Sequence, residues 1–182
     1  MNEIDTVRNL RFIDIFVSSV IVELLFVISF RMMNVSGPKW KSINQWYDTM
    51  KLSSIITDIL ILMIGFYLTK YILVWLYDNG YTCGRLIFAK FMILLLLIQI
   101  IHDSMFYTIF LKQMKSQNYI IRELQSYANI VGINAIIGDS LMYIFSAPLL
   151  YYIFSKQSTE TNIFITIVAL YILMYFLYQI PK

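Results

Sequence analysis

Cysteine, histidine and charge are the scarce ingredients of this chain. With one cysteine, Cys83, it closes no intramolecular disulfide, and with one histidine, His102, it builds no His-rich metal site. Disulfide-stapled domains and the common zinc enzymes are thereby excluded. Asp, Glu, Lys and Arg make up 14% of the 182 residues, against about a quarter in soluble domains. The formal charge of +3 is dispersed; its densest basic cluster is Lys39 with Lys41, which leaves no footprint for nucleic acid. Also missing are a glycine-rich phosphate loop, a Ser or Cys nucleophile with a base at helical spacing, and a His-x-x-x-His pair. A metal would have to combine His102 with Asp103, Asp139 and Glu23, a poor set for structural zinc, which prefers Cys and His. The residues therefore point to no enzyme, no cofactor and no metal.

Apolar residues take up the space that charge leaves. Hydrophobic residues make up 59% of the chain and aromatic residues 16%. They fall into five runs, 12–30, 52–76, 86–111, 129–154 and 163–180. Crossing a hydrocarbon layer about 30 Å thick takes about 20 helical residues, so each run predicts a membrane span. Asp14 and Glu23 interrupt the first run and no small-residue cleavage site follows it, so it is read as a retained span rather than a signal peptide. Breakers end the helices at Ser36-Gly37-Pro38, at Asp78-Asn79-Gly80 with Gly84, and in the polar stretch Ser155 to Asn162. The expected architecture is one all-α domain over 1–182, a polytopic bundle of five membrane helices with an interfacial helix.

That interfacial helix is expected at 38–51, where Trp40, Ile43, Trp46, Tyr47 and Met50 recur at helical spacing among polar residues. Trp40, Trp46 and Tyr47 are its expected headgroup anchors. Residues 119–128 alternate apolar and charged positions in the same way, so the fourth span should begin as an amphipathic helix that runs unbroken into the membrane. The first and third linkers and the C-terminus carry Arg31, Lys39, Lys41, Lys51, Lys112, Lys115, Arg122 and Lys182; the other side carries Arg8, Arg11, Arg85, Lys90 and Lys156. The positive-inside rule then puts the N-terminus outside and the C-terminus inside, which leaves the Asn34-Val35-Ser36 sequon bare.

Acids inside spans are costly and mark functional candidates. Glu23, Asp58, Asp103 and Asp139 come one from each of the first four spans. Counting about 1.5 Å per residue from the span ends places all four in one half of the bilayer, about 9 to 15 Å below the side of the first and third linkers. His102 adjoins Asp103, and Gln99, Ser104, Asn134 and Ser140 lie near the same depth. Ala128, Gly132, Ala135 and Asp139 recur at four, three and four residues, a small-residue face that predicts close helix packing and brings Asp139 to Asp103. Two readings follow: carboxylates in low dielectric can exchange protons or bind cations, or they can hydrogen-bond helices together. Lys70, near the opposite end of the second span, should snorkel to the far interface or meet Asp14.

The strings IQIIHDSMFYTIF and NYIIRELQSYANIVGINAIIGDSLM, within residues 98–142, carry His102-Asp103, Phe106-Tyr107, Tyr127-Ala128, Gly132, Ala135-Ile136 and Gly138-Asp139-Ser140. This pattern resembles small multi-span inner-membrane virion proteins of large double-stranded DNA viruses of algae and other protists. The chain departs from that pattern between the two motifs, where KQMKSQ replaces the usual Gly or Pro turn. The resemblance implies no catalytic residues. It implies a structural role in a virion inner membrane, connecting the lipid bilayer to an icosahedral capsid or to other membrane proteins. The alternative from the residues themselves is a small proton or cation channel or transporter built on the carboxylate layer. A lipid- or sterol-modifying enzyme is a third class without a distinguishing motif.

Overall fold

The structure, a computed structural model, describes residues 3–32, 37–113 and 118–179. The Asn34 sequon, Lys115 and Lys182 lie outside the described residues. The described residues are helical with no strand. In order the helices are α1 (Glu3–Arg8), α2 (Phe12–Met32), α3 (Pro38–Met50), α4 (Leu52–Asp78), α5 (Ile87–Met105), α6 (Tyr119–Val131), α7 (Ile133–Pro148) and α8 (Thr159–Leu177). α5 continues as a π-helical stretch, Phe106–Leu111. α7 continues as another, Leu149–Ile153, and then a 3-10 turn, Phe154–Lys156. Five helical stretches are long and apolar enough to cross a membrane: Phe12–Met32, Leu52–Asp78, Ile87–Ile109, Ile133–Lys156 and Thr159–Leu177. This is a polytopic α-helical membrane protein.

In lipid the backbone must satisfy its own polar groups, which leaves helices as the spanning elements of such a chain. Polar and small side chains then choose the packing faces. α2 sits at the centre, burying Ser18, Ser19, Val20, Glu23 and Val27, and packs against α4, α7 and α8. The Ser18 hydroxyl donates to the Ser146 carbonyl on α7 at 2.7 Å. α8 covers α2 along Asn162, Thr166, Ala169, Leu173 and Leu177, whereas Phe164, Ile167, Tyr171 and Tyr175 face outward as a lipid surface would.

α2, α4, α7 and α5 close a ring of four helices, α4 pairing with α5 and α5 with α7. Across this ring the Tyr143 hydroxyl donates to the Ile61 carbonyl at 2.9 Å, its ring standing edge-on to Phe66. Gly65 makes this crossing fit, because a Cβ there would collide with the Tyr143 hydroxyl and ring. At one end of the bundle α1 is strapped to its neighbours: Arg8 pairs with Asp78 at 2.5 Å, and Glu3 accepts from the Ile87 amide at 2.7 Å. α3 and α6 lie at the other end.

One expectation needs correction. α6 does not run unbroken into the fourth span, because Gly132 adopts φ +57 and ψ −134 and divides it from α7, so the span starts at Ile133 rather than 129. No L side chain enters that conformation cheaply.

The crossing makes a paired prediction. Gly65→Ala should destabilise the protein by about 1–3 kcal/mol through overpacking against Tyr143, despite alanine's better helix propensity. Gly138→Ala, also inside a helix but beside open space, should stabilise by about 1 kcal/mol. Thermal unfolding in detergent measures both, and shifts of the same sign would refute the close approach at Gly65.

Candidate functional site

At the α3 and α6 end a cavity of about 550 Å³ is cut into the bundle and is partly open to its surface, with His102, Asn129 and Gly132 among its exposed lining residues. Its walls come from α2, α4, α5 and α7, and α3 and α6 roof it. Asp58, His102, Asp103 and Asp139 line it, together with Asn129 and Asn134, and among the described residues no Lys or Arg does. Phe26, Trp46, Phe106, Tyr107 and Tyr127 supply aromatic surface. Beyond Ile61 and Met142 the bundle is filled by Tyr143, Phe66 and Phe91, which are 0–1% exposed, so the cavity is closed toward the opposite end.

The acids hold unequal positions. Asp103 accepts from Gln99 one turn earlier and from a His102 imidazole nitrogen at 3.0 Å when that nitrogen carries the proton. Gln99 in turn accepts from Ser140 on α7 at 2.8 Å, so the network ties α5 to α7. Asp139 lies within electrostatic reach of Asp103 across the cavity. Asp58 faces the indole N–H of Trp46. Glu23, fully buried just behind the wall, lies within electrostatic reach of Asp58 and Asp139. The Tyr47 hydroxyl faces it without closing a hydrogen bond to either carboxyl oxygen. Burial, reinforced by Glu23 and Asp58, pushes the Tyr47 phenol well above its ordinary range, so it stays a protonated donor. Among the described residues no group of three or more His, Cys, Asp or Glu side chains converges closely enough to hold a metal ion.

An acid at the other end is handled differently. Asp14, also fully buried, takes three hydrogen bonds from the Arg11 guanidinium, at 2.7, 3.0 and 3.1 Å, and one from Asn162 at 2.8 Å. Lys70, rather than meeting Asp14, donates to the Leu10 carbonyl at 2.6 Å.

Two expected features are placed otherwise. Ala128, Gly132 and Ala135 do not form a packing face: the break at Gly132 separates them, nothing lies within 4 Å of a Cβ built on Gly132, and all three line the cavity. Of the expected headgroup anchors, Trp46 and Tyr47 are turned into the protein, 8% and 4% exposed, against Tyr127 and Phe30 respectively. Their partners are aromatic rings of this chain, which remove more ring surface from water than a headgroup layer does. Trp40 alone of the three stays partly exposed, beside Phe30. Comparison with family models, curated proteins and solved structures returns no match for the chain.

The chain does match itself. Ile55-Ile56-Thr57-Asp58-Ile59-Leu60 and Ile136-Ile137-Gly138-Asp139-Ser140-Leu141 share Ile-Ile-x-Asp-x-Leu. The offset of 81 residues also pairs Trp46 with Tyr127, Lys51 with Gly132 and Asp58 with Asp139 (46 to 127, 51 to 132, 58 to 139). Glu23 and Phe26 correspond, at an offset of 80, to Asp103 and Phe106. α3 and α6 are both 13 residues long, pack on each other, and bring Trp46 and Tyr127 within 5.8 Å. α2 packs on α4 as α5 packs on α7, and α2 meets α7 as α5 meets α4. Exchanging the halves preserves these neighbours, the signature of parallel repeats about an axis along the bundle. The cavity lies where the two halves meet, taking Phe26, Trp46 and Asp58 from one and Phe106, Tyr127 and Asp139 from the other. Scanning for self-similarity would have found this pattern in the sequence.

Each roof helix joins its span through the same unusual backbone. Lys51 has φ +49 and ψ −127, close to the values at Gly132. A lysine is strained there and a glycine is not. Lys51→Gly should therefore stabilise the protein by about 1 kcal/mol, and Gly132→Ala should cost about 1–2 kcal/mol. Unfolding in detergent reads both signs; a destabilising Lys51→Gly would contradict the shared hinge geometry.

Proposed function

We propose that this protein is a small membrane transporter for protons or cations, working through the carboxyl-lined cavity between its two halves. One observation carries the reading: acids from helices of both repeats line a membrane-embedded cavity whose wall, among the described residues, has no Lys or Arg. Ionisable groups at that depth are expensive, and transporters place substrate and ion sites near the midplane at repeat interfaces. The aromatic plug beyond the cavity favours a carrier that opens to one side at a time over a permanently open pore. α3 and α6, amphipathic and hinged at Lys51 and Gly132, are the elements placed to move.

The role implied by the resemblance, a structural protein of a virion inner membrane linked to a capsid, rests on residues 98–142 and makes a different demand on the acids. For that role they serve to hold helices together, and amide replacements serve as well.

Potential-driven proton or cation uptake into proteoliposomes separates the two. Wild-type protein should support uptake. Asp58→Asn and Asp139→Asn should each lose most of it while remaining folded, and Asp78→Asn, in the exposed pair with Arg8, should keep it. Wild-type vesicles no leakier than protein-free ones would overturn the transport reading.

A further inference from the structure

We propose that the cavity binds a lipophilic monovalent organic cation, an ammonium or phosphonium with an apolar body, rather than only a proton or a bare metal ion. The proposal rests on the transport reading above and names its substrate class.

Size comes first. A cavity of about 550 Å³ falls in the range that holds drug-sized ligands, far above the share of about 30 Å³ that one water occupies in the liquid. A dehydrated divalent ion favours several carboxylates closing on one point, and among the described residues no three Asp, Glu, His or Cys side chains do so.

Charge comes second. Asp58, Asp103 and Asp139 face the space, Glu23 stands behind it with both oxygens lacking a hydrogen bond, and among the described residues His102 is the only basic side chain in the wall. At the other end of the same bundle, Asp14 has Arg11. Among the described residues no Lys or Arg answers the cavity acids as Arg11 answers Asp14, so a cationic occupant supplies the missing charge and an anionic one is repelled.

The walls decide between a small ammonium and a lipophilic one. Phe26 and Phe106, and Trp46 and Tyr127, are repeat-related pairs, and all four rings line the cavity. Aromatic faces attract a desolvated cation and bury its apolar substituents. The repeat adds a condition that a chance pocket would not meet: Asp58 and Asp139 should contribute comparably, because they occupy equivalent positions in the two halves.

Isothermal titration of the purified full-length protein in detergent with tetraphenylphosphonium tests this, with tetraphenylborate as the probe of the same shape and opposite charge. Tetraphenylphosphonium should bind saturably. Asp58→Asn and Asp139→Asn should each weaken binding by about tenfold or more, and Asp78→Asn should leave it unchanged. Gly138→Phe, which fills open space beside Asp139 without altering a charge, should block binding, so that the test does not depend on the acid variants alone. Absence of saturable binding, equal binding of tetraphenylborate, or indifference to all three cavity variants overturns the proposal. Proton uptake by the same preparation in liposomes keeps the failures apart: uptake without binding sinks the organic-cation proposal and leaves the transport reading standing, and loss of both sinks both.

Discussion

A charge in a hydrocarbon layer must be answered by a partner, and the bundle depends on how that demand is met at its two ends. Asp14 is answered within the chain: Arg11 and Asn162 surround it, and Arg11 also donates to Thr159 and to the Gln157 carbonyl, so one buried carboxylate fixes the start of α8 against the start of α2. Such a pair is not itself a large source of stability, but removing one member strands the other. In the cavity wall Asp58, Asp103 and Asp139 face one described basic side chain, His102, and the space they surround is large and roofed by aromatic rings.

The rest of the fold follows from keeping these two regions apart. Tyr143, held across the bundle by the absent side chain of Gly65, sits one turn past Asp139 and, with Phe66 and Phe91, closes the core between them. Arg31, buried at the end of α2, donates to Asp48 at 2.7 Å and to the Leu177 carbonyl at 3.1 Å, which ties α3 to α2 and α8. α6 is held on the other side by contact with α3 and by Gln125 donating to the Leu111 carbonyl. The roof is therefore tethered from both halves and meets at Trp46 and Tyr127, while Lys51 and Gly132 give each roof helix its own bend.

The spans were legible in the sequence because hydrocarbon thickness imposes a length that apolar runs must reach, and counting residues to span ends grouped Asp58, Asp103 and Asp139, which line one cavity. Local pattern was a poorer guide to what touches what. Ala128, Gly132 and Ala135 have the spacing of a packing face, but spacing assumes a continuous helix, and a glycine is as good at breaking one as at admitting a neighbour. Trp46 and Tyr47 have the chemistry of headgroup anchors, but an amphipathic helix can present its aromatic face to a second such helix. The pairing of α3 with α6 is a tertiary fact, visible beforehand only by comparing the chain with itself at an offset of about 80 residues.

That both halves build one water-accessible, cation-attracting cavity is the central claim, and thiol accessibility tests it most directly. In a Cys83→Ser background, Thr57→Cys and Gly138→Cys occupy repeat-related positions in the cavity wall. In oriented proteoliposomes a membrane-impermeant trimethylammonium methanethiosulfonate should modify both from the α3 and α6 side at similar rates, and should leave Thr69→Cys, buried beyond the aromatic plug, unmodified. Reaction at only one of the two wall positions, at neither, or from the opposite side would contradict the account.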